Sequence, residues 1–360
     1  MGLELRNFDY KSELTKQRAL FLECFPENAG SPVVTDEHYL WKFHGNNQVQ
    51  GSYEYCAWID DKLAGYYAAI VYPYNYFGKG IRVGMVCDVM TGINARGQGV
   101  FTKLGKFALE KLLNSEDIGF LTGYPIRKEV IPGHRKSGWD FPFVIPMYGK
   151  FLALNSFLRS RKLRWARFIL NPFLILINLI INLFRRSCPS VVVEEYTSDN
   201  IDSIKGFELF LEDLQSQTPI SLKKDKTFLK WRLGAPGKKY IILLMKVDSK
   251  PVGYAVGRYV VKENVPCFGV LDFSIISGFE NYSTELLKEV ERIAKANGAE
   301  LILIMILKRF AARYRFFKNG WLRTPYNFSF ILQRTTLIND KKKLMNEDNW
   351  FLSWLDSDDL

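Results

Sequence analysis

The spacing of apolar residues along the chain changes from segment to segment and predicts alternating strands and helices. Residues 81–91 read as a strand, residues 99–114 as a helix and residues 118–123 as the next strand. In the second half, residues 284–297 read as a helix that Gly298 ends, and residues 301–307 as a strand buried on both faces. This alternation predicts an α+β (α/β) fold.

Four short patterns occur twice, in the same order. Residues 39–43 match 228–233, residues 58–66 match 246–254, residues 86–90 match 270–274, and residues 135–139 match 317–321. The offset falls slowly, from 190 for Trp41 and Trp231 to 182 for Gly138 and Gly320, as loops of different length would produce. We therefore predict domains over residues 1–155 and 191–340, a helical linker over 156–190 and a tail over 341–360.

The linker contains the most apolar segment of the chain, residues 168–184. Asn171 and Pro172 read as a helix N-cap and first helical residue, and Asn171, Asn178 and Asn182 share one narrow stripe. The flanking basic residues are Arg159, Arg161, Lys162, Arg164, Arg167, Arg185 and Arg186. Two interpretations remain open: a helix packed between the domains, or an interfacial helix on an anionic membrane. We expect burial, with the asparagines hydrogen-bonded at the domain seam.

Composition and charge narrow the function classes. The chain has 360 residues, of which 48% are hydrophobic, so a disordered protein or a coiled coil is excluded. Its net charge of +11 favours anionic partners: a nucleotide cofactor, a nucleic acid or an acidic membrane. Five scattered cysteines without a CxxC pair argue against a disulfide framework or a zinc site. The N-terminal residues lack the order of a signal peptide, which predicts a cytoplasmic protein.

A glycine-rich turn over residues 91–104 links a strand to a helix. Backbone N–H groups at a helix N-terminus, with glycines beside them, form an anion site, and Arg96 adds a positive charge. The turn lacks the Gly-Lys-Ser/Thr ending of a P-loop and the third glycine of the dinucleotide fingerprint. An unliganded turn is the alternative.

The segment from Arg96 to Phe101 resembles motif A of the GNAT superfamily of N-acetyltransferases, although Phe101 stands where the family has Gly or Ala. The resemblance implies two tandem GNAT-like domains, each a mixed, mostly antiparallel sheet flanked by helices, with acetyl-CoA as acyl donor. The implied cofactor-binding residues are Val89, Met90, Thr91, Arg96, Gly97, Gln98, Gly99, Val100, Phe101, Thr102 and Lys103. In the second copy the matching residues 277–283 have one glycine, no arginine and an acidic Glu280. That copy is therefore expected to be degenerate and not to bind CoA.

The resemblance also suggests catalytic residues. The family's usual acid is a tyrosine four residues before a Gly-Phe turn, and here His134 takes that place. A surface histidine is the alternative interpretation. Asp88 is the candidate base, although its copy Asp272 also allows a structural role. Tyr124 is placed at the acceptor cleft together with Glu129, whereas Tyr124-Pro125 could also be an ordinary turn.

These features predict an acetyl-CoA-dependent N-acyltransferase whose acceptor is a primary amine of a small molecule, such as an amino sugar. The alternatives are a tRNA-dependent aminoacyl transferase of the peptidoglycan-bridge type and a non-catalytic acyl-CoA-binding protein. We expect no DNA partner, and membrane contact through residues 159–186, at the inner membrane face, stays open. Asp356-Ser357-Asp358 superficially resembles an acidic metal-binding pair, but we expect no metal there. We expect the C-terminal segment to be a solvated tail or an added strand.

Overall fold

One continuous β-sheet forms the centre of the molecule, in a computed structural model that describes residues 2–45, 51–185, 188–338 and 340–358. Its strands are β1 (Leu3–Asn7), β2 (Ser52–Ile59), β3 (Lys62–Tyr76), β4 (Lys79–Thr91), β5 (Phe120–Gly123), β6 (Asp140–Phe151), β7 (Val191–Thr197), β8 (Ile220–Leu222), β9 (Ile241–Val247), β10 (Lys250–Lys262), β11 (Val265–Ile275), β12 (Leu301–Met305), β13 (Leu322–Arg334) and β14 (Trp350–Phe351). The α-helices are α1 (Tyr10–Cys24), α2 (Asp36–His44), α3 (Val100–Leu113), α4 (Ile131–Lys136), α5 (Asn155–Ser160), α6 (Arg167–Phe184), α7 (Phe207–Ser216), α8 (Lys226–Leu233), α9 (Ser283–Ala296), α10 (Lys308–Arg313) and α11 (Lys341–Met345).

The sheet is mixed and mostly antiparallel, as predicted. The strand order is β1-β2-β3-β4-β5-β13-β6-β12-β11-β10-β9-β7, with β8 beside β3 and β14 beside β8. Among these neighbours only β4 with β5, β11 with β12 and β8 with β14 run parallel. The helix α3 connects the first parallel pair and α9 connects the second, because a parallel crossover needs a long connection.

The two halves of the chain exchange a strand at the middle of the sheet. The strand β13, from the second half, lies between β5 and β6. In return β6, from the first half, lies between β13 and β12. The residues of each half therefore complete the sheet of the other, and the halves form one sheet instead of two separate ones.

The predicted apolar faces of the connecting helices are buried. Val100, Leu104, Ala108 and Leu112 of α3 pack on the sheet, and so do Leu286, Leu287, Val290 and Ile293 of α9. Both helices lie within one residue of their predicted bounds, because their hydrophobic spacing is regular and long.

The two tryptophans of the first repeated pattern meet each other. The Trp41 indole N–H donates to the Trp231 carbonyl at 2.7 Å, and the Trp231 indole N–H donates to the Trp41 carbonyl at 2.8 Å. The rings stack with centroids 5.6 Å apart. The contact is reciprocal, as between equivalent surfaces related by a two-fold axis.

The apolar segment forms a helix, but the expectation that it is buried between domains was wrong. The helix α6 begins at Arg167, so Asn171 is not its N-cap and Pro172 lies inside it. None of its residues is buried, and it is long and apolar enough to span a membrane by length and composition alone. The asparagines do bond to the protein: Asn171 accepts from the Leu154 amide at 2.9 Å, and the Asn178 amide donates to the Phe151 carbonyl at 3.3 Å. Those bonds hold one side of α6 against the protein and leave the rest of the helix surface exposed.

The C-terminal segment was expected to be a solvated tail or an added strand. It includes the added strand β14 and is buried. Trp350, Leu352 and Leu355 are fully buried, and the carboxylate of Asp356 accepts from the Tyr74 hydroxyl at 2.9 Å. Two tryptophans among the last eleven residues provide enough apolar surface to hold the segment against the sheet.

Candidate active site

A cleft opens where the parallel strands β4 and β5 separate. Their pairing ends at Val86 and Gly123, and β4 then continues to Thr91 while its other edge stays paired with β3. The residues beyond this point, 87–89 on one side and 124–126 on the other, line a cleft of about 510 Å³. Because no described strand pairs with this edge of β4 beyond Val86, its backbone groups can bind an extended ligand.

The glycine-rich turn lies at the end of β4 and leads into α3. Gly97 and Gly99 have φ values of +79° and +77°, which L side chains rarely adopt, so the two glycines allow the turn. No side chain caps the helix at Gly99. The amide of Lys103 is used within the helix, since it donates to the Gly99 carbonyl at 3.0 Å. The amides of Val100, Phe101 and Thr102 are those that an anion at this helix end would meet.

The remaining predicted cofactor residues surround this turn. Arg96 is exposed, and its Nε donates to the Thr91 carbonyl at 3.3 Å, which holds the guanidinium over the end of β4. Gln98 is exposed and bonds to Asn94, whereas Met90 is 1% exposed and belongs to the core. Val89 lines the cleft. Phe101 does not point into the core as expected but lines the cleft beside His134, with ring centroids 5.3 Å apart.

Two carboxylates and one ammonium group meet in the cleft. Lys42 Nζ lies 2.9 Å from the Asp88 carboxylate and 2.7 Å from that of Asp358. Burial by itself lowers the pKa of Lys42, but Asp358 and Asp88 more than offset it and raise the pKa well above its ordinary value. Lys42 in turn holds the pKa of Asp358 below its ordinary value against the effect of burial. Lys42 and Asp358 are therefore both charged at neutral pH.

A β-bulge aims Asp88 at the cleft. Tyr66 pairs with Met90 and Ala68 with Cys87, so Asp88 and Val89 together face Tyr67. Asp88 has a φ of +46°, a strained value for a residue with a side chain. Such strain is typical of functional positions, because the rest of the structure must hold it in place.

His134 is neither exposed nor poised to carry a proton at neutral pH. It is 5% exposed, packs edge-on against Phe101 and Trp139, and lines the cleft. Burial lowers the pKa of His134 to about 4. The imidazole is therefore neutral near pH 7, which removes the imidazolium as the acid of the reaction.

Tyr124 lines the cleft, but Glu129 does not. Burial raises the pKa of the Tyr124 hydroxyl well above its ordinary value, and that hydroxyl has no hydrogen-bond partner among the described residues. Glu129 is exposed on a short turn outside the cleft.

Sequence reasoning missed part of the cleft. Lys42 follows Trp41 in the repeated pattern, and a basic residue after the tryptophan in both copies was the available signal. Asp358 had no signal, since its position depends on how the terminal segment packs. Arg18 and Lys238 also line the cleft and come from distant parts of the chain.

Cys87, Asp88 and Asp358 each offer one potential metal-ligand atom, all within 4.8 Å of one another. The Lys42 ammonium already lies between the two carboxylates, so the negative charge is balanced by the protein itself. We assign no metal to this cluster.

The second half has a corresponding opening, which the protein fills. Pairing of β11 with β12 ends at Val270 and Ile304, and Ile306 then pairs with Ser353 of the C-terminal segment. At the turn before α9, the Glu280 carboxylate accepts from the Gly278 amide at 2.8 Å. The Asp272 carboxylate is fully buried, 2.7 Å from Lys224 Nζ, and accepts from the Tyr254 hydroxyl. The end of β12, the Gly278 amide and the Asp272 carboxylate are thus all bonded to other groups of the protein.

Comparison with known proteins finds a family similarity for the first half of the chain and a fold similarity for the whole chain. Residues 5–151 match the model of the acetyltransferase (GNAT) domain, whereas the search of curated proteins found no match. A probable N-acyltransferase of unknown function from Enterococcus faecalis is 13% identical, with a TM-score of 0.63 over 94% of this chain and 74% of the other. A GCN5-related N-acetyltransferase from Anabaena variabilis is 12% identical, with a TM-score of 0.62 over 92% of this chain and 73% of the other.

The fold of the whole chain is therefore that of GNAT proteins, and its residues 5–151 are similar to the GNAT acetyltransferase domain. The splayed strands and the uncapped turn before α3 lie within the matched residues, whereas the cleft is also lined by Lys238 and Asp358 from outside them.

Proposed function

We propose that the protein is an acetyl-CoA-dependent N-acetyltransferase that acts on a primary amine of a small molecule, such as an amino sugar. The observation that carries this proposal is the uncapped turn before α3, which opens beside a cleft holding the carboxylates of Asp88 and Asp358 on either side of Lys42. A GNAT family match over the same residues makes acyl transfer the expected reaction class.

The donor side of the proposal rests on the turn and on β4. The amides of Val100, Phe101 and Thr102 and the Arg96 guanidinium would hold the pyrophosphate. The free edge of β4 at Val89 would pair with the amide-containing arm of the cofactor. Bound acetyl-CoA would supply the electrophilic thioester carbonyl.

Asp88 is the proposed general base. An amine acceptor arrives as an ammonium and must lose a proton before its nitrogen can attack. The Asp88 carboxylate takes that proton, the nitrogen attacks the thioester carbonyl and the C–N bond forms. The C–S bond then breaks, and the second proton lost by the nitrogen goes to the sulfur of the leaving thiolate, so that the thiol is released. Lys42 and Asp358 are positioning residues, because the ion pairs fix where the Asp88 carboxylate lies. We assign His134 and Tyr124 to the walls of the cleft.

The charges around the cleft indicate an acceptor with an anionic group as well as an amine. Arg18 and Lys238 line the cleft beyond the carboxylates, and burial together with Arg232 and Arg258 lowers the pKa of Lys238 to about 7. An anionic group on the acceptor would stabilise the protonated form of Lys238. A phosphorylated or carboxylated amino sugar has the required combination of charges.

The second half is the proposed degenerate copy. Glu280 occupies the turn amide that an anion would need, and the C-terminal segment pairs at the end of β12. We therefore expect one acetyl-CoA per chain.

Two measurements test the proposal. Isothermal titration calorimetry with acetyl-CoA should show one site, and a panel of amino sugars and their phosphates should then release free thiol from acetyl-CoA. Binding without thiol release for any amine would favour a non-catalytic acyl-CoA-binding protein. Absence of binding, together with transfer from aminoacyl-tRNA, would favour the tRNA-dependent alternative and overturn the proposal.

A further inference from the structure

The uncovered side of α6 is an interaction surface. Six of its exposed apolar residues are Phe168, Phe173, Leu176, Leu179, Leu183 and Phe184, with exposed fractions between 53% and 83%. Contiguous apolar surface of this kind is rare on monomeric proteins unless it contacts a partner or a membrane. We call these six residues the apolar face of α6.

The opposite stripe of the helix holds α6 flat against the protein. Asn171, Leu174, Asn178 and Ile181 are the half-buried residues, spaced by three, four and three positions. At the first end, Asn171 bonds to Leu154 and Asn155, and near the second end Ile181 packs against Gly320. The helix is therefore fixed along one side over its whole length.

A buried ionic cluster anchors the far end of α6. Arg185, the first residue after the helix, lies 2.8 Å from the Glu291 carboxylate, which also lies 2.8 Å from Lys150 Nζ. Because both ends are tied to the same body, the helix cannot cross a bilayer without breaking these contacts. An orientation parallel to a surface is the one that the contacts allow.

The charged residues of the chain segment that contains α6 are all positive. From residue 141 to residue 193 the sequence has no Asp or Glu. Arg159, Arg161, Lys162 and Arg167 are exposed before or at the start of the helix, and Trp165 is 66% exposed among them. Exposed cations and a tryptophan beside an apolar helix face are the features of interfacial helices on anionic lipid.

We propose that the apolar face of α6, with the cations of residues 159–167, binds the surface of an anionic lipid bilayer. A second copy of the chain fits this surface less well, because the same cations would then approach one another. The proposal does not depend on the proposed acetyl transfer, since it concerns a surface outside the cleft.

Vesicle flotation of the full chain tests the proposal. Vesicles of an equal mixture of phosphatidylcholine and phosphatidylglycerol should retain the protein at low salt, and high salt should weaken retention because it screens the cations. Leu176→Gln with Leu183→Gln should reduce the partition coefficient about tenfold or more, since both side chains would enter the interface. Arg161→Gln with Lys162→Gln should reduce it about tenfold, and only for the anionic vesicles.

A matched control uses exposed apolar residues elsewhere. Val192 and Leu209 are 55% and 70% exposed, so Val192→Gln with Leu209→Gln should leave flotation unchanged. Melting temperatures of all variants verify that they fold. Absence of flotation with anionic vesicles would overturn the proposal. The proposal would also be overturned if light scattering showed a dimer and Leu176→Gln with Leu183→Gln dissociated it. A second copy of the chain would then cover the apolar face of α6.

Discussion

Asp88 lies in the bulge of β4 and its counterpart Asp272 lies next to the bulge of β11, but the two carboxylates have opposite surroundings. Asp88 lines an open cleft and shares Lys42 with Asp358, whereas Asp272 is fully buried and held by Lys224 and Tyr254. A carboxylate that faces solvent-filled space can exchange protons with a ligand, and one that is sealed in the core cannot. Asp88 is therefore the candidate for a chemical role, whereas the role of Asp272 is structural.

Asp88→Asn should lower kcat by roughly 10²–10⁴-fold, the usual contribution of a general base, and leave the affinity for acetyl-CoA unchanged. Asp272→Asn should instead destabilise the fold by about 3–5 kcal/mol, because it leaves the Lys224 charge buried without its partner. Steady-state kinetics and urea unfolding of both variants distinguish the roles. Equal loss of stability in both, with activity retained by Asp88→Asn, would make Asp88 structural.

His134 gives the stability of the protein a predictable dependence on pH. Its pKa is about 4 in the folded protein, below the ordinary value of 6.5, so the unfolded chain binds the extra proton between these values. The free energy of unfolding should therefore decrease as the pH falls from about 6.5 to 4, by roughly 2–4 kcal/mol from this residue. His134→Phe should flatten the decrease, and the two proteins should show parallel profiles above pH 7. Parallel profiles at all pH values would show that the pKa of His134 is the same in the folded and the unfolded chain.

At the scale of elements, the turn before α3 differs from the turn before α9 in what meets the backbone amides. Open space surrounds the Cβ position of Gly97, whereas Glu280 caps the amide of Gly278. Neither helix has a side-chain cap, so the two turns differ in charge: the first has the exposed Arg96, and the second has the Glu280 carboxylate, which would repel an anion.

Arg96→Glu together with Gly99→Asp should abolish CoA binding without unfolding the protein. Removing the cation and placing a carboxylate at the helix end should each cost about 1–3 kcal/mol of cofactor affinity. Gly278→Asp is the matched control, since it puts the same side chain at a left-handed glycine of the other turn. Unchanged affinity of the double variant by calorimetry would mean that the first turn binds no ligand.

The regular helices and strands could be predicted from the sequence. Where α6 begins, and what its apolar face contacts, could not. The helices α3 and α9 have long amphipathic patterns, which fix their faces and bounds. The start of α6 was misjudged because an asparagine before a proline usually marks a helix N-cap, whereas Asn171 here bonds to the preceding segment. Periodicity identifies a helix but does not say whether its wide apolar face is covered.

At the scale of the whole molecule, the C-terminal segment connects the two halves. Trp350 packs against Phe120 of β5 and Phe330 of β13, with ring centroids 5.4 and 5.0 Å apart. A few residues later Asp356 bonds to Tyr74, and Asp358 reaches the cleft. The segment thereby couples packing of the sheet to the position of a charged group beside Asp88.

Trp350→Ala should reduce the free energy of unfolding by about 3–5 kcal/mol, as expected for a large aromatic side chain lost from a core. Phe317→Ala, at a residue that is 80% exposed, should change it little. Urea denaturation measures both. A cost near zero for Trp350→Ala would show that the terminal segment is detached from the core in solution.

The strand exchange could not be predicted from the sequence. Both β6 and β13 are strands with enough apolar residues for a sheet interior, and this pattern is the same whichever half provides the neighbours. The repeat indicated two similar halves but contained no information on which strands they share.

That exchange has a consequence for any chain cut between Phe184 and Val191. The N-terminal fragment would keep β6 inserted between β12 and β13, and the C-terminal fragment would keep β13 inserted between β5 and β6. The nicked protein should therefore remain one particle on gel filtration and come apart only in denaturant. Each fragment expressed by itself would expose unpaired strand edges in the middle of its sheet and should aggregate. Co-expression should restore a soluble pair, because each fragment provides the strand that completes the sheet of the other.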